Sequence, residues 1–223
     1  MLDRTLYDFL FHYWFRVEVE GIENVPADAG ALIVANHSAG VPSDSAMIAK
    51  GLRERHPRRR LVHLATDQHF ADVPAVGMLA RKLGAVPNHP ANLHRLLLDE
   101  RQLVLMFPEG RLGTSKPLKE RYRLRSFNSR FVESAASAGV AIVPVAVLGA
   151  EEAAPGVAVP APLRRMLPLS FPFPLPSKFR IRFLEPIGAD ELAGSAHAAE
   201  DIRALIQENL LELVAARRSV WLG

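Results

Sequence analysis

Short apolar runs alternate with helix-like stretches along this chain, and that alternation limits its fold more than any other feature. The apolar runs are ALIVAN, LVHLA, QLVLMF, AIVPVAVLG and KFRIRFLEPI. The stretches between and after them have helical spacing: DSAMIAKGL, VPAVGMLARKLG, ANLHRLLLDE, FVESAASAG and AAEDIRALIQENLLELVAARR. Strands that alternate with helices in this way pair in parallel. We therefore expect an α/β fold, a single domain with a mostly parallel central sheet flanked by helices.

The composition supports one self-sufficient domain. The chain has 223 residues, of which 49% are hydrophobic, and this is enough to fill a core. It has no cysteine, which excludes disulfides, thiolate metal sites and a cysteine nucleophile, and is compatible with a reducing compartment. The abundance of alanine and arginine indicates a GC-rich bacterial source. We expect a cytoplasmic protein.

The N-terminal segment is predicted to be an amphipathic helix. Residues 1–20 lack the pattern of a signal peptide, and Leu2, Leu6, Phe9 and Tyr13 have helical spacing. Such an aromatic-rich helix either lies on a membrane surface or packs on the protein's own core. No apolar run is long enough to span a membrane. We divide the chain into this helix, 1–20, and an α/β domain, 21–223.

A second apolar segment is rich in proline. Residues 154–178 contain too many prolines for a helix interior or a central strand, so they are predicted to form a loop. An apolar loop of this length either covers the core or faces lipid or an acyl chain. We expect the part from Pro160 to Pro176 to lie on the same side of the molecule as the N-terminal helix.

The sequence ANHSAGVPSD (35–44) contains the clearest candidates for catalytic residues. If residues 31–35 form a strand, His37 lies at its carboxyl end, where open α/β sheets bind their ligands. A histidine there serves as a general base when a carboxylate fixes its tautomer, and Asp44 is the nearest candidate. The alternative is that Asp44 only caps the following helix and His37 is an ordinary loop residue.

Two further motifs follow in the chain. In LMFPEGRLGTSKP (105–117) a strand ends at Pro108, and a glycine-containing turn follows with Arg111 and Lys116, a composition that suits a phosphate or another anion. In AIVPVAVLG (141–149), Pro144 interrupts a buried strand. A proline there predicts an edge strand or a bulge.

Basic residues cluster although the formal net charge is only +3. The clusters are RERHPRRR (53–60) and KERYRLR (119–125). The first suggests nucleic acid as a partner, but it lacks interleaved aromatic residues, and anionic lipid headgroups or the phosphates of coenzyme A suit it equally. We expect no nucleic acid partner. His63 and His69 lack the spacing of metal ligands, so no metal is expected either.

Together, Asn36-His37 with Asp44, then Phe107-Pro108-Glu109-Gly110, then Val143-Pro144-Val145 resemble the glycerolipid acyltransferase family, which includes lysophosphatidic acid acyltransferases. The resemblance covers about residues 30–150. It implies transfer of a fatty acyl group from acyl-CoA or acyl-carrier protein to a glycerolipid or lysophospholipid hydroxyl at the inner face of the cell membrane, without a cofactor. It also implies that His37 is the base and Asp44 its orienting carboxylate. The expected substrate-binding residues are Asn36, Glu109, Gly110, Arg111, Lys116 and Pro144.

Two departures from the family pattern concern spacing and charge. Six residues separate His37 from Asp44 where four are usual, which is similar to a subset related to mono- and diacylglycerol acyltransferases. Leu112 stands where the family usually has an arginine. A neutral or zwitterionic acceptor is therefore an alternative to a phosphorylated one. The remaining alternatives are a catalytically silent lipid-binding protein of the same fold and, less readily, a nucleic-acid binder.

Overall fold

A seven-stranded sheet forms the centre of the computed structural model, which describes residues 2–37, 43–66, 84–116, 118–153 and 174–221. The strand order is β1-β7-β6-β2-β5-β3-β4, and only the β6–β7 pair is antiparallel. The predicted mostly parallel α/β sheet is thus confirmed. The strands are β1 Glu18–Glu20, β2 Ala31–Ala35, β3 Val62–Thr66, β4 Ala85–Pro87, β5 Leu103–Met106, β6 Ala141–Leu148 and β7 Arg180–Phe183.

Helices cover both faces of this sheet. Two of them continue into a π-helical turn: α1 Leu2–Phe9 through Leu10–Trp14, and α3 Pro90–His94 through Arg95–Asp99. The others are α2 Ser43–Arg55, α4 Arg130–Ser137, α5 Ala150–Ala153, α6 Ala189–Gly194 and α7 Ala198–Ala215. Short 3-10 turns span Ile22–Asn24, Gly110–Ser115 and Leu118–Glu120. The helix predicted for residues 73–84 lies almost entirely outside the described residues.

The central strand β2 shows why the sheet is apolar on both sides. Leu32 and Val34 pack in one cluster with α3, α4 and α7. Ala31, Ile33 and Ala35, which point to the opposite face, pack in a second cluster with α1, α2 and α5. All five residues of β2 are buried because helices lie on each face. The uninterrupted run ALIVA is the sequence signature of that position.

Parallel pairing brings three strand ends to one edge of the sheet. β2 pairs with β5 through Val34 and Met106, and with β6 through Ala35 and Val145. The residues that follow these strands, 36–37, 107–110 and 149–153, therefore meet at the same edge. This edge is the position where open α/β sheets build their sites.

Pro144 does not mark an edge, because β6 lies in the middle of the sheet. It does lie at a bulge, as the alternative prediction had it: the antiparallel pairing shifts by one residue there, from Val145 opposite Phe183 to Ile142 opposite Ile187. The carbonyl of Pro144 accepts the backbone N–H of Leu184 at 2.8 Å, but a proline has no N–H to return the second bond. The missing donor thus falls where the regular pairing is already interrupted.

The N-terminal helix ends earlier than the predicted boundary at residue 20, because Glu18–Glu20 forms a strand that pairs with β7. Its inner side packs on the core, which is one of the two alternatives. Phe11 is fully buried in the core, whereas Leu6, Phe9 and Tyr13 face outward. Among the described residues, no helix combines the length and the apolar character needed to cross a membrane.

Candidate active site

His37 and Asp44 are in direct contact. The ring nitrogen Nδ1 of His37 lies 2.8 Å from Oδ2 of Asp44. Because an ionised carboxylate only accepts hydrogen bonds, Nδ1 carries the proton and Nε2 keeps its lone pair. The side chain of His37 is 22% exposed and that of Asp44 is fully buried. The arrangement presents a proton acceptor to the surface and hides the group that orients it.

Asp44 also performs the role that the alternative interpretation gave it. It lies in the first turn of α2, and its second carboxylate oxygen, Oδ1, accepts the backbone N–H of Ser45 at 2.8 Å. The start of a helix favours negative charge, which offsets part of the cost of burying a carboxylate. One oxygen therefore holds the helix start and the other holds the imidazole.

Phe107 fixes the plane of the imidazole. It follows β5 and stacks on His37 with ring centroids 4.3 Å apart and an interplanar angle of 19°. A ring held by a stack on one face and by a hydrogen bond at Nδ1 has little freedom to turn. Phe107 belongs to one of the motifs that carry the resemblance, but no pattern in the sequence predicts this contact.

Glu109 supports the loop that carries His37. Its Oε1 accepts the backbone N–H of His37 at 3.0 Å, and its Oε2 accepts the backbone N–H of Arg125 at 2.8 Å. The carboxylate is buried. We expected Glu109 to bind substrate, but its oxygens instead join the end of β2 to the segment before α4.

Asn36 likewise supports the fold, although we predicted that it binds substrate. Its side-chain amide donates to the carbonyl of Val147 at 2.9 Å and accepts the N–H of Val147 at 2.8 Å. These two bonds continue the pairing of β2 and β6 after the β2 backbone has turned away. Pro144, the third residue of this kind, is buried within β6. Both residues fix the strand end from which His37 projects.

Lys116 is neutralised inside the protein. Its ammonium lies 3.0 Å from Glu109 Oε2 and 3.0 Å from Glu151 Oε1, and its side chain is 4% exposed. Burial raises the pKa of Glu151, and the charge of Lys116 works against that rise. The prediction that Lys116 binds an anionic substrate does not fit this geometry. The sequence could have indicated Glu151 as a partner of Lys116. Glu151 follows the end of β6 as His37 follows the end of β2, and both strands end at the same edge of the sheet.

The turn Gly110–Ser115 packs against His37. Gly110 has a φ of +53°, which favours glycine, and a Cβ on Gly113 would lie 3.2 Å from the Cβ of His37 and 2.9 Å from that of Glu109. Gly113 therefore lets the backbone of this turn approach His37 and Glu109, a role that we did not predict. The side chain of Arg111 lies outside the described part of the structure.

The two basic clusters lie at different ends of the molecule. The cluster 53–60 begins in the last turn of α2, roughly 14 Å along the helix from Asp44 at 1.5 Å per residue. In it Arg60 donates to the carbonyls of Pro26, Ala27, Ala29 and Arg101, and burial lowers its pKa. This cluster ties loops together, whereas the cluster 119–125 reaches the site through the backbone of Arg125.

No metal centre emerges from the residues with known placement. Among them, no three histidine or carboxylate side chains are grouped so that they could hold an ion. His69, which we considered beside His63, lies outside the described ranges.

Comparisons with known proteins show the family to which this chain belongs. The sequence profile of a family described as Acyltransferase matches residues 16–148, more than half of the chain. An uncharacterized protein of Mycobacterium leprae is 37% identical over 243 residues, covering 99% of this chain and 66% of that protein. An uncharacterized protein of Mycobacterium tuberculosis is 36% identical over 243 residues, covering 99% of this chain and 68% of that protein. The chain spans about two thirds of the length of these relatives.

A solved structure has the same fold. The 1-acyl-sn-glycerophosphate (LPA) acyltransferase PlsC from Thermotoga maritima matches with a TM-score of 0.66 and 20% sequence identity, covering 97% of this chain and 78% of that chain. The chain therefore belongs to the acyltransferase family, which confirms the resemblance that its motifs indicated. The matched residues include His37, Asp44, Glu109 and Lys116.

The two roles of Asp44 can be separated by one substitution. Asp44→Ser keeps a side-chain oxygen that can cap α2 but removes the carboxylate from His37. We expect a folded protein in which acyl transfer, measured as thiol release from acyl-CoA, falls by about 10²-fold or more. Circular dichroism controls for folding. Near-normal transfer by this variant would leave Asp44 with the capping role alone.

Proposed function

We propose that this protein transfers a fatty acyl group from a thioester donor, acyl-CoA or acyl-carrier protein, to the hydroxyl of a glycerolipid or lysophospholipid. His37 is the general base and Asp44 its orienting carboxylate. The observation that carries this proposal is the 2.8 Å bond from His37 Nδ1 to Asp44, which fixes the tautomer that leaves Nε2 basic. Family membership supplies the reaction class.

The reaction needs no covalent enzyme intermediate. Nε2 of His37 takes the proton from the acceptor hydroxyl as its oxygen attacks the thioester carbonyl carbon, and a tetrahedral intermediate forms. The carbon–sulfur bond then breaks, and the imidazolium returns the proton to the departing thiolate. Asp44 stabilises the imidazolium while it exists. Net, an oxygen ester and a free thiol replace an alcohol and a thioester.

The charges around the site favour an acceptor that is not a phosphomonoester. Lys116 is neutralised between Glu109 and Glu151. A cation that already has a buried carboxylate partner contributes little to binding an external phosphate. Arg125 also has a carboxylate partner, Glu120, in an exposed ion pair. Leu112, at the place where the family usually has arginine, is exposed and uncharged. We therefore propose a neutral or zwitterionic acceptor.

An acceptor panel tests both the reaction and its substrate class. Thiol release from acyl-CoA is measured with monoacylglycerol, diacylglycerol, lysophosphatidylcholine and lysophosphatidic acid. We expect kcat/KM to be at least about tenfold higher for a neutral or zwitterionic acceptor than for lysophosphatidic acid. A preference for lysophosphatidic acid contradicts the acceptor class. Lipid binding with no turnover on any acceptor favours the catalytically silent alternative.

Membrane association completes the proposal, since the acceptor resides in a bilayer. The exposed side chains of Leu6, Phe9 and Tyr13 share α1, and Phe9 and Tyr13 stack with centroids 6.2 Å apart. Interfacial helices present aromatic and leucine side chains in this way. Trp14 donates to the carbonyl of Pro174 at 2.9 Å, at the end of the apolar segment. This contact supports the prediction that helix and loop share a side, although residues 154–173 lie outside the described part.

The position of α1 relates this surface to the site. Lys50 of α2 pairs with Asp8, and Phe11 packs beside Gly51. The helix that α1 contacts is thus the one that carries Asp44. We propose that the protein binds the cytoplasmic face of the cell membrane peripherally through α1.

Liposome flotation measures that binding. Phe9→Ser combined with Tyr13→Ser removes aromatic area from the exposed face of α1 and is expected to reduce flotation severalfold, because binding scales with buried apolar area. The control is Leu211→Ser, which changes an equally exposed residue of α7 on the other face of the sheet. Equal flotation of the double variant and the control contradicts a membrane role for α1.

A further inference from the structure

A buried ion cluster lies directly behind His37. Its cation nearest to His37 is Lys116, which lies 3.0 Å from Glu109 and 3.0 Å from Glu151. The other oxygen of Glu109 accepts the backbone N–H of His37. The ammonium is therefore two contacts away from the proposed base, with Glu109 between them.

The cluster continues to the end of α7. Glu151 accepts the backbone N–H of Tyr122 at 2.7 Å, and the hydroxyl of Tyr122 donates to Glu152. Arg217 donates to that hydroxyl at 2.6 Å and pairs with Glu152. This far end has a buried cation as well, but that cation contacts neither Glu109 nor His37. Glu151, Glu152 and Arg217 all lie beyond the residues that the family profile matches.

The positive charge of Lys116 offsets the repulsion between Glu109 and Glu151. Both carboxylates approach the same nitrogen, and both are largely removed from water. Two buried carboxylates at such close range cannot both stay ionised without a cation. A protonated or displaced Glu109 would lose one of its two backbone donors, His37 N–H or Arg125 N–H. The position of His37 therefore depends on a charge that never contacts the substrate.

We propose that Lys116 is a positioning residue for acyl transfer: it holds Glu109 as the acceptor of the His37 backbone N–H and thereby fixes the imidazole. This inference rests on the proposed function of His37 as the base. It replaces the substrate-binding role that the sequence suggested for Lys116, and it gives the buried pair with Glu151 a function beyond stability.

Lys116→Met is compared with Arg217→Met, a matched loss of a buried cation from the far end of the same cluster. We expect kcat of Lys116→Met to fall about 10- to 100-fold, since small displacements of a catalytic group are costly, while KM changes little. Arg217→Met lowers the Tm but keeps kcat within about twofold. Lys116→Arg retains the charge and restores most of kcat.

The pH dependence of stability provides a second readout. Removing Lys116 removes the largest influence that lowers the pKa of Glu151, so the folded-state pKa of that carboxyl rises further. A carboxyl whose pKa is higher in the folded state favours folding at low pH, and that stability is lost as pH rises. The Tm deficit of Lys116→Met should therefore grow between about pH 5 and pH 8.

The double variant Lys116→Met with Glu151→Gln tests whether Lys116 positions Glu109 or only offsets the repulsion between the two carboxylates. This double variant removes the repelling pair, so its Tm should no longer show that extra pH dependence, yet we expect kcat to stay low because nothing holds Glu109. Recovery of kcat would overturn the positioning role. If Lys116→Met alone does not fold, the double variant is compared with Glu151→Gln, which keeps the Lys116–Glu109 pair.

The backbone amide resonance of His37 separates this inference from the proposed function. We expect it to shift in Lys116→Met and to stay in place in Arg217→Met, whatever the activity. An unmoved resonance together with wild-type kcat overturns the inference. Absence of acyl transfer by the wild-type protein overturns the proposed function alone, and the resonance still reports whether Lys116 positions His37.

Discussion

The hydrogen bond between His37 and Asp44 requires a strand end and a helix start to meet, and the rest of the site serves that requirement. β2 ends one residue before Asn36, whose amide bonds to Val147 prolong its pairing with β6. α2 begins at Ser43, so its first turn holds the buried carboxylate of Asp44. A buried carboxylate is unfavourable unless it is hydrogen-bonded. The Ser45 N–H and the imidazole supply those bonds, so the catalytic geometry also stabilises the helix start.

The buried charged side chains at this edge of the sheet pair with one another. Glu109 accepts two backbone N–H groups, and the ammonium of Lys116 neutralises its charge. A phosphate-binding site usually offers cations that are free to meet the ligand. Here the buried cation serves the protein's own carboxylates. The same arrangement thus underlies both the proposed acceptor class and the positioning of the base.

The sequence predicted the parts of this structure that depend on local pattern. The strand at 31–35 and the pair His37 and Asp44 follow from an apolar run and a helix start, and both were found. What local pattern could not predict are contacts between residues that are distant in sequence. Lys116 is suited to an anion by composition, but its partner Glu151 is 35 residues away. Pro144 left an edge and a bulge as alternatives, and only the pairing of β6 with the chain after β7 decides for the bulge.

The central claim is that His37 is the base, and thiol release by His37→Ala tests it most directly. The imidazole lies at the surface of the site and is partly exposed, so its loss should leave the fold nearly unchanged. The account predicts a folded variant whose acyl transfer, with acceptor present, falls by at least about 10²-fold. Transfer close to the wild-type rate by the folded variant would contradict it.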